Sequence, residues 1–275
     1  NQIPMDEIEV IVGMPLPEHT TFESFPNLKM IQLPSAGYDR VPLNQLKSKN
    51  IMLANASGVY SVPIAEWVIG KLLEIIKLSK YYYNNQSKGV WKKNFGMVEL
   101  AGRTALVFGT GSIGQEIAKR LRAFDVVVDG VNSNGRDIKY FNMCFDMKSG
   151  KEMSKKYDIL IFSLPNNEET FGLVNSDFLN NLKHDAVLIN IGRGTLIKED
   201  DLIESLKQGK FMGVALDVMN VEPLPQTSEL WTLDNVIISP HSSFISEKID
   251  QRRVDLITSN IILFSQNKEI KNRII

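Results

Sequence analysis

Arg193, Glu222 and His241 are the residues of this chain whose types and placement point most directly to chemistry. Each follows a short apolar run that predicts a buried strand: Ala186–Ile191, Met212–Val218 and Val236–Ser239. In an open parallel sheet, the loops after strand C-termini line the ligand crevice. An arginine, a carboxylate and a histidine at such ends suggest hydride chemistry on a small acid when a dinucleotide fingerprint lies upstream. Singly, each has a plainer reading: a solvated arginine, a satisfied histidine, a glutamate capping a turn.

The elements that must position them alternate along the chain. Ile8–Val12, Leu28–Leu33 and Ile51–Ala54 read as short buried strands, punctuated at Pro15, Pro17, Pro34, Gly37 and Gly58, with a helical piece at Leu43–Lys49. Asn1 is not an initiator, so a further strand and helix are expected upstream. Val62–Tyr82 places apolar residues over a wide helical face and predicts one long helix that packs on two sides. After a polar stretch, Asn84–Asn94, strand–helix alternation restarts at Thr104–Phe108 and continues through Val126–Val131 and Ile159–Leu164 to the three runs above. The pattern predicts an α/β protein of two Rossmann/flavodoxin-like domains, with parallel doubly wound sheets and an interdomain cleft. The expected substrate domain is discontinuous, 1–94 plus 246–275, and the dinucleotide-binding domain is 95–245. A last helix, roughly Glu247–Phe264, is expected to return to the first domain.

Composition narrows the class. The 275 residues are 43% hydrophobic, enough for a real core, and a formal net charge of −1 argues against nucleic acid as a partner. Apolar runs fall short of the roughly 18 to 20 residues that span a bilayer. One cysteine, Cys144, excludes an internal disulfide, reads as inert and suits a reducing compartment, so a cytoplasmic enzyme is expected.

The fingerprint is Gly109-Thr110-Gly111-Ser112-Ile113-Gly114, between the strand ending at Phe108 and a helix running to Arg122. Its glycines suit a tight turn, close approach of backbone to a pyrophosphate and close helix–strand packing. The next strand ends at Asn132, followed by Ser133, Asn134, Gly135 and Arg136. No carboxylate stands there to hold a ribose diol, whereas Ser133, Asn134 and Arg136 would welcome a 2′-phosphate. NADP is therefore expected in preference to NAD. Asp129, inside the strand, has no evident role.

Taken together, Val107–Gly114, Ser163-Leu164-Pro165, Leu188–Gly194, Ala215–Val218 leading to Glu222-Pro223, and Ser239-Pro240-His241-Ser242-Ser243 resemble the D-isomer-specific 2-hydroxyacid dehydrogenases in motif and order. The resemblance covers essentially the whole chain. It implies reversible reduction of a 2-keto acid to a 2-hydroxy acid with NADP or NAD. Arg193 would orient substrate through its carboxylate or carbonyl oxygen. His241 would pass a proton to and from the carbonyl oxygen. Glu222 would hold the other ring nitrogen and favour the charged imidazole. The resemblance also places Leu164, Pro165, Ile191, Gly192 and Asp217 along the cofactor, with Asp217 near the nicotinamide carboxamide. It gives Ser35, Ala36 and Gly37 to the substrate carboxylate and implies a homodimer. Tyr60 either shapes the substrate pocket or simply packs. His19 and His184 read as structural. Phe244 stands where the family often has glycine. Two other functions stay open: a dinucleotide-sensing, corepressor-like binding protein, and a phosphoglycerate dehydrogenase-like enzyme without a regulatory domain. Arg40 is the nearest candidate for a substrate phosphate in the second.

Overall fold

Runs of valine, isoleucine and leucine too short for a stable helix become strands here, and every pairing between them among the described residues is parallel. The structure, a computed structural model, describes residues 4–14 and 21–275; Pro15, Pro17 and His19 lie outside them. Contacts divide the chain into two compact units. One holds the residues up to Tyr60 with Ile245–Ile275, and the other is Ser61–Phe244.

The first unit contains β1 (Val10–Val12), β2 (Met30–Gln32), α1 (Leu43–Ser48) and β3 (Met52–Ala54), with the sheet ordered β1-β2-β3. Phe22, Phe25, Ile31, Leu33, Leu46 and Leu53 are buried on one side of it. Met30, Ala54 and Ile270 pack with Leu263 and Phe264 of the C-terminal helix, Ile249–Ser265, on the other. A buried polar set fixes that helix to the sheet. Asn260 Nδ2 donates to Gln32 Oε1 at 2.6 Å and to the Lys271 carbonyl at 2.9 Å, and Asn260 Oδ1 accepts from the Lys271 N–H at 2.8 Å.

The second unit begins with α2 (Ser61–Ile76) and α3 (Ser79–Ser87). The single long helix expected over Val62–Tyr82 is broken, because Leu78 adopts a left-handed conformation, φ 55°. The physical reason is in the faces: α2 buries nine side chains along its length, whereas α3 buries none. The strands and helices that follow are β4 (Thr104–Phe108), α4 (Ser112–Arg122), β5 (Val127–Val131), β6 (Cys144–Phe145), α5 (Met147–Met153), β7 (Ile159–Phe162), α6 (Ser176–Asn181), β8 (Ala186–Asn190), α7 (Glu199–Lys207), β9 (Phe211–Leu216) and β10 (Val236–Ile238). Their order across the sheet, β10-β9-β8-β7-β4-β5-β6, puts the topological switch between β4 and β7.

Alternation along the strands sends side chains to two helical layers. Leu106, Phe108, Leu160, Phe162, Leu188, Val214 and Leu216 form one core with Phe178 of α6 and Leu202 and Leu206 of α7. The opposite face receives α2 and α4. A Cβ on Gly213 of β9 would come within 2.7 Å of Ile75 Cγ2, so α2 lies hard against the sheet there. This packing groups residues 61–94 with the larger unit, although the sequence reading assigned them to the first. No helix among the described residues is long and apolar enough to cross a membrane.

Asp129 acquires a role. Its carboxylate accepts from the Met143 N–H at 2.9 Å, from Asn142 Nδ2 at 3.4 Å and from the Tyr157 hydroxyl at 2.6 Å, closing the β5–β6 edge. Burial, then the bond and charge of Asp129, push the Tyr157 hydroxyl well above its usual range and keep it a donor. Tyr157→Phe removes one buried donor from a carboxylate, so it is expected to cost about 1–3 kcal/mol. A lower urea midpoint with an unchanged ratio of NADPH to NADH binding would register the loss as purely structural.

Candidate active site

The phosphate turn is built by steric exclusion. A Cβ on Gly109 would lie 2.4 Å from the Ser163 carbonyl oxygen, and one on Gly114 would lie 2.0 Å from that of Gly109. A Cβ on Gly111, by contrast, would meet nothing within 4 Å. The first and third glycines are thus consumed by packing, and the second leaves open space at the N-terminus of α4. The N-terminus of such a helix, with its N–H groups and the positive end of its dipole, suits a pyrophosphate. The residues therefore fit a dinucleotide. Ser112 and Ile113 open the helix, while Thr110 turns inward, 5% exposed, with its hydroxyl 3.2 Å from Asn132 Nδ2.

Asn132 shapes the loop after β5. Its Oδ1 accepts from the N–H groups of Asn134 and Arg136, both at 3.2 Å, and its Nδ2 donates to the Arg136 carbonyl at 2.9 Å. Ser133, Asn134 and Arg136 are exposed on that loop, with Arg136 Nη1 donating to Asn134 Oδ1 at 3.1 Å. Asn132, expected as a cofactor contact, thus spends its side chain on its own loop and on Thr110 of the glycine turn.

Arg193, Glu222 and His241 follow β8, β9 and β10, as their positions in the sequence imply. Asn190, at the end of β8, sets the arginine turn: its Oδ1 accepts from the Gly192 N–H at 3.1 Å and its Nδ2 donates to the Arg193 carbonyl at 3.0 Å. A Cβ on Gly192 would reach 2.6 Å from the Leu164 carbonyl oxygen, so this turn sits on the Leu164–Pro165 segment. Next door, a Cβ on Gly194 would lie 1.9 Å from the Met219 carbonyl oxygen. The arginine turn and the loop carrying Glu222 therefore touch backbone to backbone.

Glu222 Oε1 accepts from the Met219 N–H at 3.0 Å, and Oε2 lies 2.9 Å from His241 Nδ1. With Nδ1–H given to the carboxylate, Nε2 is the ring nitrogen left for a substrate. Burial works to raise the Glu222 pKa, but it is outweighed by the His241 and Met219 hydrogen bonds and by the charges of His241 and Arg193. The carboxyl is held below its ordinary value. Phe244 stands edge-on to the imidazole, 6.4 Å between ring centroids. Asp217 is 2% exposed and turns its carboxylate to the loop bearing His241, through Ser239, Ser242 and Ser243. The sequence reading had those serines, Asn190 and Gly194 inside its motifs but gave none of them a role, because their partners are set by the packing of neighbouring loops.

In the first unit, the Ser35-Ala36-Gly37 turn has all three carbonyls occupied. Ser35 O accepts from the Ala56 N–H at 2.9 Å, Ala36 O from Asn55 Nδ2 at 2.7 Å, and Gly37 O from Ser35 Oγ at 2.8 Å. Because a trans peptide directs N–H opposite to C=O, the N–H groups of Ala36 and Gly37 face away from these anchors. Tyr60 packs with Ala56, Val59 and Ile249, and its hydroxyl donates to the Pro34 carbonyl, bracing the same turn.

Residues 69–243 match the NAD binding domain of the D-isomer specific 2-hydroxyacid dehydrogenases. A glyoxylate reductase of Thermofilum pendens is 31% identical over 246 residues, which cover 87% of this chain and 73% of the relative. A D-isomer specific 2-hydroxyacid dehydrogenase family protein from Aeromonas salmonicida superposes with a TM-score of 0.85 at 31% identity, over 98% of this chain and 86% of the other. An NADPH-dependent glyoxylate/hydroxypyruvate reductase from Sinorhizobium meliloti, solved with NADP and sulfate, gives 0.84 at 25% identity, over 98% and 85%. The chain belongs to the D-isomer specific 2-hydroxyacid dehydrogenase family. It is an NAD(P)-dependent oxidoreductase of 2-hydroxy acids, on the α/β fold that its sequence implies.

Because the Glu222 carboxyl is depressed in the folded state, its contribution to stability is present above the ordinary carboxylate range and lost as pH falls through the folded value. The side chain is 39% exposed, so solvent screening keeps the contribution small. The stability advantage of wild type over Glu222→Gln should be greatest near neutrality and close as pH falls below about 4. Urea midpoints taken across that range would check both sign and window.

Proposed function

We propose that this enzyme reduces a small 2-keto acid, of the glyoxylate or hydroxypyruvate type, with NADPH preferred over NADH. The observation that carries the reading is the His241 Nδ1–Glu222 contact of 2.9 Å, with the loop bearing Glu222 packed against the Arg193 turn. The hydride comes from the bound reduced nicotinamide. His241 gives its Nε2 proton to the carbonyl oxygen as negative charge develops there, and Glu222 steadies the imidazolium before transfer. Arg193 offers a fixed positive fork to the substrate carboxylate or carbonyl oxygen, and the N–H groups of Ala36 and Gly37 take the carboxylate. Leu164, Pro165, Ile191 and Gly192 line the nicotinamide side, with Gly109–Gly114 on the pyrophosphate. In the oxidative direction each proton step reverses.

The cofactor preference follows from the loop after β5. Asn132 is neutral and already committed to its own loop, and the Asp129 carboxylate is turned away to Tyr157. Ser133, Asn134 and Arg136 leave a hydroxyl, an amide and a guanidinium exposed for a 2′-phosphate. The family resemblance supports a cytoplasmic homodimer built through cofactor-domain surfaces, with the smaller unit serving the substrate and Ser61–Phe244 the dinucleotide.

Loss of absorbance should be followed separately for NADPH and NADH against a panel of 2-keto acids. Turnover higher with NADPH, falling about 10²- to 10⁴-fold in His241→Ala, is expected. Arg136→Ala should raise KM for NADPH about tenfold while sparing NADH, the size of one charge-assisted hydrogen bond. Turnover that favours NADH would sink the cofactor preference and leave the reaction standing. Tight dinucleotide binding without turnover would instead favour a sensing role.

A further inference from the structure

The side-chain amides of Gln32, Asn55, Asn260 and Asn272 meet within the first unit. Asn272 is not a glycine, yet its backbone is left-handed, φ 56°, a conformation that asparagine tolerates. From there it grips the loop after β3. Its carbonyl accepts the Asn55 N–H at 3.2 Å, and its Nδ2 donates to Asn55 O at 3.4 Å and to Ser57 O at 2.8 Å. Gln32 and Asn260, both fully buried, approach the same carbonyl of Asn55. Asn260 Nδ2 donates to Gln32 Oε1 at 2.6 Å, so the Gln32 amide turns its Nε2 the other way. That nitrogen donates to Leu33 O at 3.0 Å and to Asn55 O at 3.3 Å. The Asn55 backbone is thus fixed by the C-terminal helix and by segment 271–275.

The Asn55 side chain then reaches across to the Ser35-Ala36-Gly37 turn. It is buried, its Oδ1 accepts from the Ser57 N–H at 3.1 Å, and its Nδ2 donates to Ala36 O at 2.7 Å. The reverse orientation would set oxygen against the Ala36 carbonyl and NH₂ against the Ser57 N–H. We propose that Asn55 is a positioning residue for the substrate carboxylate, held in place by Asn272 and by the Gln32–Asn260 pair. The Ala36 carbonyl and the Gly37 N–H belong to one trans peptide and point opposite ways. An amide that fixes the carbonyl therefore aims the N–H. Ala56 does the same for the preceding peptide, since its N–H donates to Ser35 O at 2.9 Å. Two successive N–H groups are aimed together, and such pairs suit an anion. The inference rests on the reading of this turn as the carboxylate site, and it extends the site's support to residues remote from the reaction.

Two readouts test it. The Gly37 N–H signal in protein carrying isotope-labelled glycine, assigned with Gly37→Ala, reports the aim of the peptide without ligand. The consequence is read as KM and kcat for the 2-keto acid reduced best, beside the NADPH Kd from fluorescence titration. Asn55→Ala is expected to shift the Gly37 signal and to raise KM about tenfold, with kcat changed less than about threefold and the Kd unmoved. Asn55→Asp keeps the acceptor for Ser57 and loses the donor to Ala36, so it should raise KM at least as far. Asn272→Ala leaves the Asn55 side chain intact and should repeat the pattern with a KM rise of about threefold. It decides the matter should Asn55→Ala fail to fold. An unchanged Gly37 signal, or a KM that stays put while only the urea midpoint falls, would overturn the positioning role. Oxamate, a carboxylate analogue that is not reduced, then separates the causes. A wild-type Gly37 signal that responds to oxamate leaves the turn as the carboxylate site and removes Asn55 alone. No response removes the reading of the turn as well.

Discussion

Backbone hydrogen bonds that run past the ends of β8, β9 and β10 set the separation of Arg193, Glu222 and His241. Asn190 O takes the Asp217 N–H, Leu216 O takes the Ser239 N–H and Asp217 O takes the His241 N–H. Each is an extension of a parallel ladder whose register is fixed by residues buried on both faces. A slip of one residue would send every side chain of a strand to the other face, so the apolar core forbids it. The arginine, the carboxylate and the imidazole therefore inherit their positions from packing that contains no polar atom of theirs. Only the last few ångströms are set locally, by Asn190 on the arginine turn and Met219 on Glu222.

Much of this was legible in the sequence because the signals were local. A buried parallel strand is a short unbroken apolar run, and the residues after it are the only polar ones that can reach the crevice. That logic located Arg193, Glu222 and His241, and the glycine turn announced itself by spacing. What escaped depends on partners distant in sequence. The long apolar face beginning at Ser61 does not reveal that it packs on Gly213, so its grouping with the larger unit was hidden. Leu78 is a good helix former, and only the end of the buried face at Ile76 makes it a break. Asp129 looked anomalous in a buried strand because its partners Asn142, Met143 and Tyr157 lie beyond the next turn. Ser239, Ser242 and Ser243 stood in the histidine motif without a role of their own, since serine's role is set by what it faces.

The strand order separates the two tasks of the protein. The phosphate turn and the loop from Ser133 to Arg136 follow β4 and β5, on one side of the β4–β7 switch. The triad follows β8, β9 and β10, on the other. Asn132 reaches back to Thr110 and so ties the ribose loop to the phosphate turn, without a bond to the triad. The triad in turn is closed on itself through Asn190, Gly194, Met219 and Asp217. The two halves meet where Leu164 and Pro165 pass under the Gly192 turn, a contact of backbone with backbone. Backbone contact transmits position but not side-chain identity. On the proposed reading, substitution between Ser133 and Arg136 changes cofactor preference while the His241–Glu222 geometry stays put. The reverse does not hold: a shift of the Gly192 turn would move both Arg193 and the wall of the proposed nicotinamide site. The Leu164–Gly192 contact therefore constrains both halves at once, although neither residue is proposed to carry a reacting group.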